Sequence, residues 1–207
     1  MSNRIGTLYI ISAPSGGGKT SLINALLQND PHIIFSVSYT TRAQRPGEVE
    51  GVDYHFIDKK KFETLITAGE FLEHACVFGN YYGTSKQWVH DKLVAGTDIV
   101  LEIDWQGAQQ IRQLMPLSVS VFILPPSKEV LYARLCDRAR DEQSTIDARM
   151  QQASNEISHC QEYDYLIVNE NFGKALADLQ SIFHAQRLKQ DVQSQRYESL
   201  LSCLLTQ

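Results

Sequence analysis

The chain has 207 residues and a formal net charge of -5, and at about 150 residues per domain it is either one domain with insertions or two small domains. The acidic charge excludes a broad nucleic-acid partner, which needs a basic surface, but it allows a locally basic site for small anions. No apolar run approaches the ~18 residues of a membrane span. The four cysteines have no C-x-x-C spacing. We therefore expect a cytoplasmic protein with reduced thiols and no membrane partner.

The chain begins with a predicted strand, a glycine-rich loop and a predicted helix. Residues 7–12 are apolar and rich in strand formers, which predicts a buried strand. Residues 20–28 carry apolar side chains at helical spacing and stop before Pro31. A loop between a buried strand and a helix is the context in which phosphate-binding loops occur.

That loop matches the pattern G-x-x-x-x-G-K-[ST], with alanine at its first position. Three consecutive glycines let backbone N–H groups converge on an anion, and the helix N-terminus adds a partial positive charge. The pattern places Lys19 on the β- and γ-phosphates of a nucleoside triphosphate and Thr20 on Mg²⁺. The alternative is a flexible turn with a solvated lysine, which the strand–loop–helix order disfavours. The expected binding segment is Ala13, Pro14, Ser15, Gly16, Gly17, Gly18, Lys19 and Thr20.

The next segment, residues 36–95, has a different pattern. Short alternating pieces at 54–57 and 71–78 are separated by turn residues, which predicts a small mixed or antiparallel β insertion. Helical patterns follow near 59–68 and 85–95.

The rest of the chain alternates between strands and helices. Apolar strands are predicted at 99–104, 119–124 and 165–168, each followed by a helical pattern, near 105–114, 127–136 and 172–189. Strands separated by helices predict a parallel sheet with helices on both faces. The charged residues 137–147 predict a mobile flap. Residues 174–205 read as one long helical pattern, whose second half could be a free end or a contact in a homo-oligomer.

Several segments taken together closely resemble guanylate kinases, in the same order along about residues 7–190. They begin with Phe35-Ser36-Val37-Ser38-Tyr39-Thr40-Thr41-Arg42-Ala43-Gln44-Arg45-Pro46-Gly47-Glu48 and continue at 51–56, 71–74, 79–84, 103–107, 122–127 and 167–169. The resemblance implies an α/β fold with a P-loop NTPase core at 1–35 and 96–207. It also implies a small mixed α+β insertion at 36–95 that binds GMP and a lid near 134–150. The implied reaction transfers the γ-phosphoryl group of ATP to GMP, with Mg²⁺, and extends to dGMP.

The same resemblance assigns a clamp for the acceptor phosphate. Arg42 and Arg45 supply two guanidinium forks, and Tyr54 and Tyr82 supply two phenol hydroxyls, which suit a monophosphate chemically. Glu48 belongs to the same segment. An isolated arginine pair would more often be a solvated turn.

Three further side chains are expected to recognise guanine. A carboxylate at Glu73 can accept from both N1–H and the exocyclic amine of guanine, whereas adenine presents an acceptor at N1. The hydroxyls of Ser38 and Thr84 can donate to O6 or N7. Such polar pairing can reject the wrong base by about 10⁴. Taken alone, Glu73 would be read as a surface carboxylate.

Acidic residues near the end of the second core strand complete the expected substrate site. Glu102 and Asp104 lie where parallel sheets bind ligands, and Glu102 stands where the family usually has aspartate. Asp104 could equally cap the helix that follows. By resemblance, Arg134, Arg138 and Arg149 match lid arginines that neutralise the transferring phosphoryl group and act in catalysis together with Lys19. Singly, these arginines could also form surface ion pairs.

Two other functions fit parts of this pattern. A non-catalytic guanylate-kinase-like interaction module would lack a working phosphate loop, whereas here the loop lysine and the glycines are present. A P-loop kinase for adenylate or a small metabolite would not need the base-reading set of Glu73, Ser38 and Thr84. Assaying several acceptor nucleotides discriminates among the three.

Overall fold

A computed structural model of the chain describes residues 5–77, 79–138 and 143–206, without the side chains of 137, 138 and 143–145. The strands are β1 Leu8–Ser12, β2 Ile33–Phe35, β3 Tyr39–Thr40, β4 His55–Phe56, β5 Phe71–Val77, β6 Asn80–Ser85, β7 Asp98–Glu102, β8 Val119–Leu124 and β9 Tyr165–Val168. The helices are α1 Lys19–Asn29, α2 Lys59–Thr67, α3 Lys86–Val94, α4 Trp105–Leu114, α5 Lys128–Arg138, α6 Gln143–Ser158, α7 Phe172–Arg187, α8 Gln190–Arg196 and α9 Glu198–Leu205.

A five-stranded parallel sheet forms the centre of the molecule, in the order β2–β7–β1–β8–β9. Alternate residues of β1 serve opposite faces, as the two-residue period of a strand requires. Tyr9 and Ile11 pack in one core cluster with residues of α1 and α7, and Leu8 and Ile10 pack in another with residues of α3 and α4. The predicted parallel sheet with helices on both faces is confirmed. Strand β2 was not predicted, because three residues carry too little periodicity.

The predicted mixed insertion forms a second sheet of four strands, in the order β4–β3–β6–β5. Strands β3 and β4 are parallel, whereas the β3–β6 and β5–β6 pairs are antiparallel. Phe62 of α2 stacks on Phe71 and Tyr81, with ring centroids 4.5 and 5.4 Å away. Val89 and Leu93 of α3 pack in the core cluster that also holds Leu8 and Ile10.

The C-terminal segment corrects one prediction. Residues 174–205 do not form one long helix, because α7 ends at Arg187 and two short helices, α8 and α9, follow. The side-chain amide of Gln193 donates to the carbonyl of Arg187 at 2.7 Å, which satisfies a helix-end carbonyl where the chain turns. The leucines of α9, including Leu204 and Leu205, are exposed.

The predicted flap at 137–147 falls partly on residues 139–142, which lie outside the described part of the chain. On either side of them the structure is helical, since α5 runs through Arg138 and α6 begins at Gln143. No helix within the described ranges combines the length and hydrophobicity needed to cross a lipid bilayer.

Arg187 at the end of α7 ties three distant parts of the chain together. Its Nε donates to Oδ2 of Asp98 at 2.8 Å, and Nη1 donates to Asp30. Asp98 is only 1% exposed and also accepts from the backbone N–H of Thr7 at 2.9 Å. The ion pair therefore joins the start of β7 to the ends of α1 and α7.

We expect Arg187→Met to destabilise the fold strongly, because it removes the guanidinium that pairs with the buried Asp98 carboxylate, and breaking a buried ion pair costs about 3–5 kcal/mol. Urea unfolding measures the effect. Lys174→Met is the matched control, because Lys174 is exposed on the same helix. Equal unfolding midpoints for the two variants would contradict the prediction.

Candidate active site

The glycine-rich loop joins β1 to α1 and curls around its own backbone. The N–H of Gly17 donates to the carbonyl of Pro14 at 2.8 Å. Gly16 and Gly18 have φ angles of 84° and 90°, a region that side chains disfavour. Gly18 is the N-cap of α1. The loop therefore combines a glycine backbone with a helix N-terminus, the two features from which an anion site of this kind is built.

Asn169, just after β9, forms a hydrogen bond to this loop and lines the same cavity. Its Nδ2 donates to the carbonyl of Gly17 at 3.0 Å, and a Cβ on Gly18 would lie 2.2 Å from the same nitrogen. The carbonyl of Asn169 accepts from Nη2 of Arg134 at 3.1 Å. No role for Asn169 was predicted. Its position at the carboxyl end of a parallel strand was the available signal.

Glu156 of α6 places a carboxylate against the loop. Its Oε2 accepts from the backbone N–H of Ser15 at 3.2 Å. Burial raises the pKa of Glu156, and the positive charge of Lys19 acts in the opposite direction. A carboxylate thus contacts the N–H surface that suits a phosphate. The sequence carries no signal for this contact, since 141 residues separate the partners.

Lys19 and Thr20 at the start of α1 meet the end of β7. The hydroxyl of Thr20 donates to Oε1 of Glu102 at 2.8 Å, and Nζ of Lys19 lies 3.9 Å from the same oxygen. The predicted loop residues and the predicted strand-end carboxylate therefore come together. A hydroxyl and a carboxylate are oxygen ligands of the kind that Mg²⁺ prefers.

Arg42 lies at the centre of the expected acceptor clamp. Its Nη2 donates to Oε1 of Glu48 at 2.6 Å, and its guanidinium carbon lies 5.4 Å from the ring centroid of Tyr54. The rings of Tyr54 and Tyr82 pack edge to face, 5.8 Å apart. Arg45 is exposed, and its backbone N–H donates to the other oxygen of Glu48 at 2.8 Å. The structure therefore gathers Arg42, Glu48, Tyr54 and Tyr82, while the side chain of Arg45 remains at the surface.

Three of these groups have a shifted pKa, and the hydrogen bond to Glu48 raises that of Arg42. The hydrogen bond from Arg42 lowers the pKa of Glu48, so this carboxylate is charged at neutral pH. Burial, reinforced by the negative charge of Glu102, raises the pKa of Tyr54 to about 12. Tyr54 is therefore a neutral hydrogen-bond donor at neutral pH.

Glu73 of β5 is a buried carboxylate. It is 3% exposed, and the hydroxyl of Thr84 on the neighbouring strand β6 donates to its Oε1 at 2.5 Å. Burial, together with the negative charge of Asp104, outweighs the hydrogen bond from Thr84 and raises the pKa of Glu73 to about 7. Ser38 is half-buried and lines the same cavity as Glu73.

The raised pKa of Glu73 predicts pH-dependent stability of the substrate-free protein. The folded state holds this proton more tightly than an unfolded chain, with its ordinary value of 4.5. The tighter binding of the Glu73 proton contributes up to about 3 kcal/mol to the free energy of unfolding. This contribution is complete below the pKa of the unfolded chain and is lost as the pH rises through the pKa of the folded protein. The side chain in Glu73→Gln stays neutral at every pH. The free energy of unfolding of the variant, minus that of the wild type, should therefore increase between about pH 5 and pH 8. A difference that does not vary with pH would contradict this.

Asp104 caps α4, as one of the two readings of the sequence predicted. Its Oδ1 accepts from the N–H of Gly107, and its Oδ2 accepts from the side-chain amide of Gln106, both at 3.0 Å. Asp104 also borders the cavity that holds Glu73. Capping does not remove it from the candidate site.

The expected lid arginines lie on α5 and α6. Arg134 contacts Asn169 and lines the cavity. Arg149 is half-buried on α6. Arg138 ends α5, and its side chain lies outside the described residues.

A cavity of about 680 Å³ is lined by many of these groups. Its walls include the whole loop from Ala13 to Thr20 on one side and Ser38, Tyr54, Glu73 and Tyr82 on the other. Glu102 and Asp104 lie between the two sides. The cavity is therefore bordered both by a phosphate-binding loop and by a buried polar pocket suited to a second ligand.

Comparisons with known proteins agree with this geometry. The sequence model of the guanylate kinase family matches residues 5–186. A guanylate kinase of Saccharophagus degradans is 57% identical over 97% of this chain and 98% of its own length. One of Vibrio cholerae is 56% identical over 98% and 99%. The crystal structure of a guanylate kinase from Anaplasma phagocytophilum superposes with a TM-score of 0.77 at 37% identity, covering 95% of this chain and 97% of that one. The family model matches most of the chain, and these relatives share more than half of its residues over nearly its whole length. The chain therefore belongs to the guanylate kinase family.

Proposed function

We propose that this chain carries out the ATP-dependent phosphorylation of GMP through the residues that line its cavity. The supporting observation is the shared cavity, which is lined both by the phosphate loop and by the buried Glu73. Two nucleotides bound at these two places would have their phosphates between them. Transfer of the γ-phosphoryl group then gives ADP and GDP.

ATP is proposed to bind along the loop from Ala13 to Thr20. Its β- and γ-phosphates accept from the N–H groups of Ser15, Gly16 and Gly18, with Lys19 as a point charge. Glu156 leaves Ser15 as the phosphates arrive, because two anions cannot share one set of donors. Binding of ATP thus exchanges an internal anion for the substrate.

Thr20 and Glu102 are proposed to hold Mg²⁺ with the ATP phosphates. Mg²⁺ in kinases is commonly bound through one or two protein ligands together with substrate oxygens and water, which the hydroxyl–carboxylate pair fits. When bound, the ion neutralises charge on the phosphates. The longer side chain of Glu102, in place of aspartate, reaches the hydroxyl of Thr20 directly.

GMP is proposed to place its base on Glu73 and its phosphate on the tyrosine–arginine clamp. The carboxylate of Glu73 accepts from N1–H and the exocyclic amine, and the hydroxyl of Ser38 donates to O6 or N7. Thr84, which the sequence also suggested as a donor to the base, keeps its one hydroxyl hydrogen on Glu73 and holds that carboxylate in place. Arg42, Arg45, Tyr54 and Tyr82 hold the phosphate, with Glu48 orienting Arg42. Asp104 keeps the start of α4 next to the base.

The proposed chemistry needs no general base, because the attacking oxygen of GMP is already an anion. Catalysis then consists of in-line positioning and cationic stabilisation of the equatorial oxygens by Lys19, Arg134, Arg138 and Arg149. The insertion at 36–95 and the lid near 134–150 are proposed to close over the core at 1–35 and 96–207. Closure excludes water that would otherwise hydrolyse ATP.

Three finer points accompany the proposal. Because the contacts are to base and phosphate, dGMP should also serve as an acceptor. The cytoplasm is the proposed location, supported by four free cysteines, which are typical of reducing compartments. A homo-oligomer through the exposed leucines of α9 remains a proposal.

The proposed function is tested by coupled assay of ADP formation with GMP, dGMP, AMP and UMP as acceptors. Turnover should be fastest with GMP. No turnover with any acceptor would indicate a binding module in place of an enzyme. Faster turnover with AMP would remove the guanine assignment while leaving phosphotransfer intact.

The position of Glu156 predicts the effect of a single substitution on ATP affinity. Removing its charge in Glu156→Gln should tighten ATP binding by about tenfold, the typical scale of one charge-assisted hydrogen bond. Titration calorimetry with ATP measures the change. Glu170→Gln is the control, since Glu170 lines the same cavity but is exposed. Weaker ATP binding by Glu156→Gln would show that this carboxylate assists the nucleotide.

A further inference from the structure

Helix α4 of the central domain lies against β5, the strand that carries Glu73. The helix begins after its cap Asp104, and its residues Gly107 and Gln110 are three apart, so they share one face. Strand β5 is at the edge of its sheet and has β6 as its only strand neighbour among the described elements. The helix therefore meets the open edge of β5 near Glu73.

Gly107 leaves space that the Glu73 carboxylate occupies. A Cβ at position 107 would lie 2.6 Å from Oε2 of Glu73 and 3.2 Å from its Cδ. The φ angle of Gly107 is not in the left-handed region. Glycine is thus required here for close approach and not for an unusual backbone conformation. Any larger residue must displace the carboxylate or the helix.

Gln110 binds the backbone of the residue that follows Glu73. Its Nε2 donates to the carbonyl of His74 at 2.8 Å, and its Oε1 accepts from the N–H of His74 at 3.2 Å. One side-chain amide thus pairs with both backbone groups of an edge-strand residue, as a neighbouring strand would. This contact fixes the position of β5 relative to α4.

We propose that Gly107 and Gln110 are positioning residues that set where the Glu73 carboxylate lies and thereby set the discrimination among purine bases. The proposal rests on the proposed binding of guanine by Glu73. Thr84 holds one carboxylate oxygen from β6, and the helix face borders the other oxygen, so the group is enclosed from two sides.

The base that should respond most is one with two donors. Guanine offers N1–H and an exocyclic amine, and both oxygens of Glu73 must be in place to accept them together. Hypoxanthine offers N1–H but no exocyclic amine, so it depends on a single oxygen. A displaced carboxylate therefore weakens GMP more than inosine monophosphate. Discrimination between these two acceptors reports on carboxylate position.

The test compares Gly107→Ala and Gln110→Met with Gln109→Met, a control on the exposed face of the same helix. We expect both test variants to raise KM for GMP by about tenfold, the scale of one lost hydrogen bond to a charged group. The ratio of kcat/KM for GMP to that for inosine monophosphate should fall, while KM for ATP stays within about twofold and the control matches the wild type.

A second measurement separates positioning from a general loss of structure. In the Glu73→Gln background, Gly107→Ala should cause little further loss of GMP discrimination, because both changes act through one carboxylate. Full additivity, or an unchanged acceptor ratio in both single variants, would overturn the inference while wild-type turnover of GMP keeps the proposed function. If Gly107→Ala does not fold, Gln110→Met alone decides. Wild-type protein that prefers AMP would instead overturn the proposed function.

Discussion

Lys19→Met should lower kcat by at least about a thousandfold, because the only loop side chain that can place a positive charge on the γ-phosphoryl group is then lost. The methionine side chain is close in length to that of lysine and should fit the same space. Lys19 lies at the start of α1, 3.9 Å from Glu102, in the part of the cavity lined by the loop. Lys19 is not part of the proposed base pocket around Glu73, so the affinity for GMP should change little.

Single-turnover kinetics for phosphoryl transfer and titration calorimetry for GMP separate these two effects. Lys92→Met is the control, since Lys92 is exposed on α3. A variant with wild-type kcat would refute the role of Lys19 in transfer. Equal losses of GMP affinity and rate would point to a disrupted fold.

Glu73→Gln should lower kcat/KM for GMP by about a hundredfold or more, since an amide presents one acceptor and one donor to two donors of guanine. The amide NH₂ of the glutamine would also face a donor of guanine, and this repulsion adds to the effect of losing the charged acceptor. Turnover with AMP, already poor, should fall far less. The preference for GMP over AMP should therefore narrow by a similar factor.

Initial rates with GMP, inosine monophosphate and AMP provide the acceptor profile. Glu70→Gln is the matched control, because Glu70 is exposed three residues earlier. An unaltered profile would remove Glu73 from the base pocket. If the charged carboxylate is the form that binds GMP, kcat/KM of the wild type should rise as the pH increases through about 7. The variant has no carboxylate at this position, so its kcat/KM should not show that rise, and the gap between the two should widen above pH 7.

The parts of the site that sequence reasoning predicted are those set by short-range rules. The loop from Ala13 to Thr20 is contiguous, and a strand before it and a helix after it are readable from periodicity. The contact of Thr20 with Glu102 follows from a general rule, since ligand-binding residues gather at the carboxyl ends of parallel strands. The pairing of Glu73 with Thr84 depends on one hairpin whose turn at Gly79 and Asn80 is visible in the sequence.

What could not be predicted depends on contacts between remote segments. Glu156 approaches Ser15 across 141 residues, and nothing in the local pattern of α6 distinguishes it from other helix carboxylates. The glutamine bridge from Gln110 to His74 is likewise invisible, because glutamine on a helix face is usually solvated. The long C-terminal helix was wrongly predicted because periodicity continued past Arg187, whereas α7 ends there and the side-chain amide of Gln193 binds the Arg187 carbonyl.

The support of the loop by Asn169 has a consequence for synthesis of the chain. The loop lies near residue 17, but the hydrogen bond that backs it comes from a residue 152 positions later. A ribosome adds about 5–20 residues each second, so β9 emerges many seconds after the loop itself. During that interval the nascent chain carries the full glycine-rich motif without its backing strand. The loop should therefore gain this hydrogen bond only late in synthesis, once Asn169 has left the ribosomal tunnel.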